Sequence, residues 1–235
     1  MHDHALTIDF HHFRSAGSGN AVTQAVSSHQ ASAIETDAFN LPTLPGRAVK
    51  GLLRDAVRTA DELGWYQQPD FAAVAAIMNS IPDHDITLTE LLFGAETVID
   101  QTPREYVFGG LVHVSSGLLP EPLRKALKYS NNTPYAAMLH QEIQSTRIDE
   151  QTGAAKLGSL RSKVVTIPLT LYAELNLIMP QHGFRNIQEV QDQLLPHAAM
   201  IIAHALPLIE QAGADKNRGF GQVTFQLTSQ GGSDD

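Results

Sequence analysis

The chain has 235 residues, 43% of them hydrophobic, enough for a packed core, and this excludes wholesale disorder. Its 16 basic and 25 acidic side chains leave a formal charge of −9, which excludes a nucleic-acid binder driven by overall charge alone. Cysteine is absent, so a disulfide framework, a thiol nucleophile and thiolate-bound zinc are excluded as well.

The length suits one elaborated domain over 1–230, with a disordered tail at 231–235. No apolar run approaches the roughly 20 residues that span a bilayer. Met1-His2-Asp3-His4 has neither the basic start nor the apolar stretch of a signal peptide. The expectation is a soluble, cytoplasmic protein with no membrane partner. Charge is unevenly spread: Asp61 to Asp100 holds eight acids and no lysine or arginine, whereas Lys156 to Lys163 holds three cations and no acid. A chain segregated in this way is able to carry a basic face despite its total.

Ala5 to Phe13 alternates, with Leu6, Ile8 and Phe10 on one side, and predicts a half-buried strand. That strand would point His11 and His12 to opposite faces. Arg14 to Ser28 is small and polar and reads as a loop. Asp37 to Pro45 contains two prolines and reads as extended or turned. After Gly46, Val49, Leu52, Leu53, Ala56, Val57, Ala60 and Leu63 recur at helical spacing, and Gly64 supplies the stop. Arg47, Lys50, Arg54 and Arg58 share the opposite side of that helix. The acidic stretch 61–100 predicts an insertion with short helices at Phe71–Asn79 and Leu88–Phe93. Tyr106 to Ser115 reads as a strand around Gly109-Gly110, and Glu121 to Gln144 fits no single pattern. Ile143 to Val165, turning at Thr152-Gly153, predicts a hairpin with a polar, partly cationic tip. Val164 to Ile178 reads as the strongest strand. Ile187 to Ala212 is a helical run that Pro196 and Pro207 should kink or divide. Phe220 to Leu227 is a final strand. The order matches an α+β, ferredoxin-like βαββαβ core with insertions.

Four constellations could carry chemistry. The Pro45-Gly46 turn feeds a helix whose start carries Arg47, Lys50 and Arg54, an arrangement suited to phosphate, though equally to a solvated basic stripe. The loop Gly213–Gly221 combines glycines with Lys216, Arg218 and Phe220, and fits either a phosphate chain with a stacked base or a plain turn. The hairpin cations Arg147, Lys156, Arg161 and Lys163 fit a nucleic-acid contact or an ordinary protrusion. Eleven histidines are present, but no HExxH or comparable ligand spacing, no GxSxG and no P-loop, so neither a metal nor a cofactor is expected.

Together these segments resemble the RAMP superfamily, the repeat-associated proteins that build CRISPR effector complexes. Leu41 to Arg54 is similar to the family's "P-x-I-P-G-S-S-L-K-G-x-x-R" motif. Leu92-Phe93-Gly94 with Gly110 to Leu119 resembles its "L-F-G … G-x-L-x-F-x-D-A" segment. Thr146-Arg147-Ile148-Asp149 through Lys156 is similar to "R-I-D-R-x-T-G-x-A", and Gly219-Phe220-Gly221 matches the C-terminal glycine-rich loop. The resemblance is greatest to the backbone-type subunit of type III complexes. It implies an RRM-like fold with a protruding thumb hairpin at about 143–165. It also implies partners: guide RNA, complementary target RNA, and other effector subunits including copies of itself. On that footing Gly17, Ser18, Gly19, Arg47, Lys50, Arg54 and the 213–221 loop become guide-facing elements.

Three departures qualify the carry-over. The position of the target-cutting aspartate falls on Gln30 or Ala31, so this subunit is expected not to cleave, with His29 as the available substitute. Arg47 and Ala48 replace the serines after Pro-Gly. Ser15 or Ala16 stands where the family often has histidine before its first glycine loop. Two rivals remain open: a RAMP endoribonuclease using His11, His12 or His29 with Lys50, and a ferredoxin-like adaptor that binds protein only.

Overall fold

The computed structural model describes residues 2–15, 35–81, 86–95, 108–129, 133–156, 158–181 and 185–229. Gly17 to Gly19, His29, Gln30 and Ala31 lie outside the described residues, as does 231–235.

Strand β1 (His2–Phe10) is the centre of the molecule. It lies between β5 (Thr170–Leu177) and β6 (Val223–Ser229), antiparallel to both, and β2 (Val112–Val114) adds beyond β5. The four-stranded order is therefore β2-β5-β1-β6. With helix α1 (Gly46–Glu62) following β1 and helix α6 (Arg185–Ala205) following β5, this is the ferredoxin-like βαββαβ topology, an α+β fold. Period-two patterning sets the register. Leu6, Ile8 and Phe10 fall on the same face as Leu171, Ala173, Leu175, Val223 and Phe225, and all are buried.

Helix α1 covers that face because Val49, Leu53, Ala56, Val57 and Ala60 form one apolar stripe. It ends at Leu63, and Gly64 supplies the left-handed residue (φ 73°) that lets its N–H bond back to the Asp61 carbonyl. Its start is equally constrained. A Cβ on Gly46 would lie 2.7 Å from the Val114 carbonyl oxygen, so only glycine lets the helix begin against the end of β2. Short helices α2 (Ala72–Asn79) and α3 (Leu88–Phe93) extend the helical layer, with α3 opened by a Thr87/Glu90 capping box. Then come α4 (Glu121–Tyr129) and α5 (Thr133–Ala137), where the sequence showed no clear pattern. A separate two-stranded ribbon pairs β3 (His140–Ser145) with β4 (Arg161–Thr166).

Three sequence expectations change, and the expected division of the last helical run falls at Pro207. The run Val164 to Ile178 is not one strand. Pro168 has no N–H to give a ladder, and the chain divides there into β4 of the ribbon and β5 of the main sheet. Strand β1 stops at Phe10, so His11 and His12 are both exposed beyond it rather than on opposite strand faces. Of Tyr106–Ser115, the described part is a strand only over Val112–Val114. Gly109 and Gly110 instead cross the end of α3, where a Cβ on Gly110 would come within 2.3 Å of the Phe93 and Gly94 backbone. Pro196 lies inside α6 without ending it, whereas Pro207 falls in the 3-10 turn Leu206–Leu208 that closes the helix.

Candidate nucleic-acid interface

The bare face of the main sheet is a poor platform for bases. It carries Asp9, Glu174, Thr7, Thr224 and Gln226, and Tyr172 is its one exposed large hydrophobic side chain among the described residues. Aromatic stacking on an RRM sheet needs more than that. The cations gather instead at one edge of the sheet, where β1 leaves it.

Arg14, which belongs to no sequence motif, is central there. Its backbone exchanges hydrogen bonds of 2.9 Å with Thr166, joining β1 to the end of the ribbon. Its side chain is 2% exposed, lies 5.3 Å from the Phe10 ring centroid, and reaches to 3.5 Å from the Glu35 carboxylate. Burial pushes this guanidinium down to about 10, with Glu35 opposing the shift. Burial likewise raises Glu35, against the pull of Arg14 and then Arg47. Glu35 thus links the buried arginine to the exposed start of α1. The segment bearing Glu35 is pinned from outside by α4: Arg124 bonds Asp37 at 3.1 Å, and the Lys128 ammonium lies 3.7 Å from the Phe39 ring centroid.

The α1 cations divide along the helix. Arg47 is exposed at the first turn, a turn with no acidic residue, where the Gly46 N–H is satisfied by the Ser116 hydroxyl at 3.1 Å. Lys50 is half-buried, and its pKa is lowered by burial and by neighbouring Arg54. Arg54 donates to the Gly94 carbonyl at 2.8 Å and so holds the end of α3. Arg58 pairs with Asp55 at 2.6 Å. The expected stripe therefore contributes its N-terminal members to the edge, while its C-terminal members serve the fold.

The C-terminal loop closes the edge. Gly213 (φ 102°) lies against Arg14: a Cβ there would meet the Ser15 carbonyl oxygen at 2.5 Å and the Arg14 side chain at 3.1 Å. Asp215, left-handed at φ 58°, accepts from the Ser15 hydroxyl at 3.0 Å, is clasped by the Lys163 ammonium, and lies 3.6 Å from Arg218. These partners, Lys163 first, hold its carboxyl below the usual range. Lys163 also faces the half-buried Phe220 ring at 5.4 Å. Lys216 and Gly219 are exposed in the loop, and Lys216 lines a 310 Å³ hollow against Leu52, Asp55 and Thr59 of α1.

The far end of the ribbon stands apart from this edge. Arg147 and Lys156 are exposed, their backbones joined directly (Lys156 N–H to the Arg147 carbonyl, 2.8 Å) and through the Ser159 hydroxyl, and Arg161 opens β4. Asp149 builds the tip: its carboxylate accepts from the N–H groups of Gln151 and Thr152 at 3.0 Å, which lowers its pKa, and Gly153 turns the chain at φ 66°. Ile148 and Leu160 are left uncovered beside it.

His11 bonds locally: its Nε2 is 2.7 Å from the Thr224 hydroxyl and its Nδ1 3.8 Å from Asp9. Among the described residues no group of His, Asp and Glu could hold a metal ion, and no helix is long and apolar enough to cross a membrane. Sequence reasoning missed Arg14, Glu35 and Asp215. No spacing signal could have found Arg14, because the buried even-numbered phase of Leu6, Ile8 and Phe10 is interrupted by the exposed His12.

Comparison with known proteins agrees with this architecture. The model of the RAMP superfamily matches residues 17–224. A chain from the type III-B Cmr-beta bound to cognate target RNA superposes with a TM-score of 0.57 at 10% identity, over 97% of both chains. A chain from the apo state of type III-B Cmr-beta gives 0.54 at 11% identity, over 97% of this chain and 98% of that one. At such identities the likeness is one of fold. None of the curated proteins matches the sequence.

Proposed function

The chain belongs to the RAMP superfamily, and from that premise we propose that it is a guide-RNA-binding backbone subunit of a type III-like CRISPR ribonucleoprotein. Its partners would be guide RNA, complementary target RNA and other effector subunits, copies of itself included. The subunit presents the guide for pairing and does not itself cut the target. Two things support the reading. Its fold is that of chains in type III-B Cmr-beta, one of them solved with cognate target RNA. And in a chain of net charge −9, cations from four separate segments meet at one sheet edge.

That convergence carries the proposal. Arg47, Arg14, Lys163 and Arg218 come from α1, the β1 exit, the ribbon and the last loop, and are linked through Glu35 and Asp215. The polyanionic backbone is the ligand such an edge selects, and sequence is left to guide–target pairing. Arg47, Lys50, Lys216 and Arg218 would contact phosphate, Phe220 would stack on a base, and the ribbon would reach toward the paired strands with Arg147, Lys156, Arg161 and Ile148. Gly17, Ser18 and Gly19 remain proposed guide contacts on the resemblance alone.

The test is a salt series with labelled single-stranded RNA. Replacing Arg47 and Lys50 together by Gln should remove two phosphate contacts and reduce the slope of log K against log salt by about 1.4. An unchanged slope and affinity would overturn the reading.

A further inference from the structure

Asp215 is the odd residue of the proposed interface: an acid in a loop that should favour anions. It is also the point where three segments meet. Its carboxylate takes the Ser15 hydroxyl from the β1 exit, the Lys163 ammonium from β4, and Arg218 from its own loop. The Lys163 and Asp215 side chains are only 22% and 24% exposed, so the pair is substantially shielded from water. The ribbon has little else to orient it. Among the described residues strand β3 is half-buried only at His140 and Ile143, β4 is buried only at Val165 and Thr166 at its base, and that base joins the main body through the backbone bonds between Thr166 and Arg14.

We propose that Asp215 is a positioning residue: by gripping Lys163 it fixes the base of the β3/β4 ribbon on the C-terminal loop, and so sets the direction in which Arg147 and Lys156 are presented. This rests on the RNA reading above. It reassigns Lys163, which engages the loop rather than the phosphate chain. It also accounts for the choice of residue, because Asp and Asn are the non-glycine side chains that best tolerate φ 58°.

The proposal reverses a simple electrostatic expectation. Removing a negative charge beside a bound phosphate chain should tighten RNA binding. Loss of the clamp should weaken it, because ribbon and loop must then be ordered on binding. Asp215→Asn keeps the backbone geometry and removes the charge. Amide hydrogen exchange on the free protein should show protection across Arg161–Thr166 falling about fivefold, and affinity for labelled single-stranded RNA should fall by a similar factor. The charge-swapped pair Lys163→Glu with Asp215→Lys should recover protection relative to Asp215→Lys alone. Unchanged exchange in Asp215→Asn, or tighter RNA binding by it, overturns the proposal. The Arg47→Gln/Lys50→Gln protein run in parallel separates the two claims. If it binds like the parent, the RNA reading fails while the exchange data still decide the clamp.

Discussion

Helix α1 and the β3/β4 ribbon carry comparable numbers of cations and hold them in opposite ways. The helix is anchored by burial: Val49, Leu53, Val57 and Ala60 are at most 1% exposed. Its cations are graded, Arg47 exposed at the N-terminal end and Arg54 and Arg58 engaged with Gly94 and Asp55 further along. Among the described residues the ribbon strands bury only Val165 and Thr166, at the base, where backbone bonds and the Lys163–Asp215 clasp also hold them, and the ribbon cations are exposed toward the tip. A helix of this kind tolerates charge changes without moving. A ribbon of this kind has a charged contact at its base that a change of charge disturbs.

The strongest way to break the contrast is at the helix core. Leu53→Ala should cost about 3 kcal/mol through lost burial and a cavity, lowering the thermal midpoint by roughly 6–12 °C. A drop under about 2 °C would mean that burial does not fix the helix. Next is Arg54→Met. It strands the Gly94 carbonyl and should cost about 1–2 kcal/mol in urea unfolding, while RNA affinity per folded molecule stays level. A specific RNA loss there would place Arg54 with Arg47 after all.

The ribbon base has a pH signature. Burial holds His140 below its ordinary 6.5, with nearby Arg14 adding to the shift and a backbone bond to Asn40 opposing it. As pH falls, the unfolded chain therefore takes up this proton first, and stability is lost below about 6.5. Urea midpoints at about pH 7.5 and 5.5 should show a smaller acid-side loss in His140→Gln. An equal loss in both proteins would place the acid sensitivity elsewhere. The smallest effect is expected at the tip. Ile148 is 56% exposed, so Ile148→Ala should change stability by less than about 0.5 kcal/mol. On the proposed function it should still weaken binding of a guide–target duplex, and equal affinity would remove Ile148 from the interface.

The same contrast separates what the sequence discloses from what it hides. Period-two alternation in 6–10 and helical spacing in 49–60 are consequences of one-sided burial, so β1 and α1 are legible residue by residue. The Asp149–Thr152–Gly153 turn is legible because its chemistry is local. Glu35, Asp215 and the fate of Arg54 are not local. Each depends on a partner far along the chain (Lys163 for Asp215, Gly94 for Arg54), and no spacing rule reports such pairs. The break at Pro168 was visible as a residue but was outweighed by the β-branched run around it.

That break has a mechanical consequence. Only Ile167, Pro168 and Leu169 separate the last ribbon strand from β5, which lies in the main sheet directly beside β1. The connector is tied on both sides, by Ile167 N–H to the Leu139 carbonyl and by Phe10 N–H to the Leu169 carbonyl, at 3.1 and 3.0 Å. There is no slack to absorb movement, so a torque applied at the tip is delivered to the middle of the sheet. The protrusion works as a lever with a stiff fulcrum rather than as a tassel, and whatever grips its far end pulls on the strand around which the whole molecule is organised.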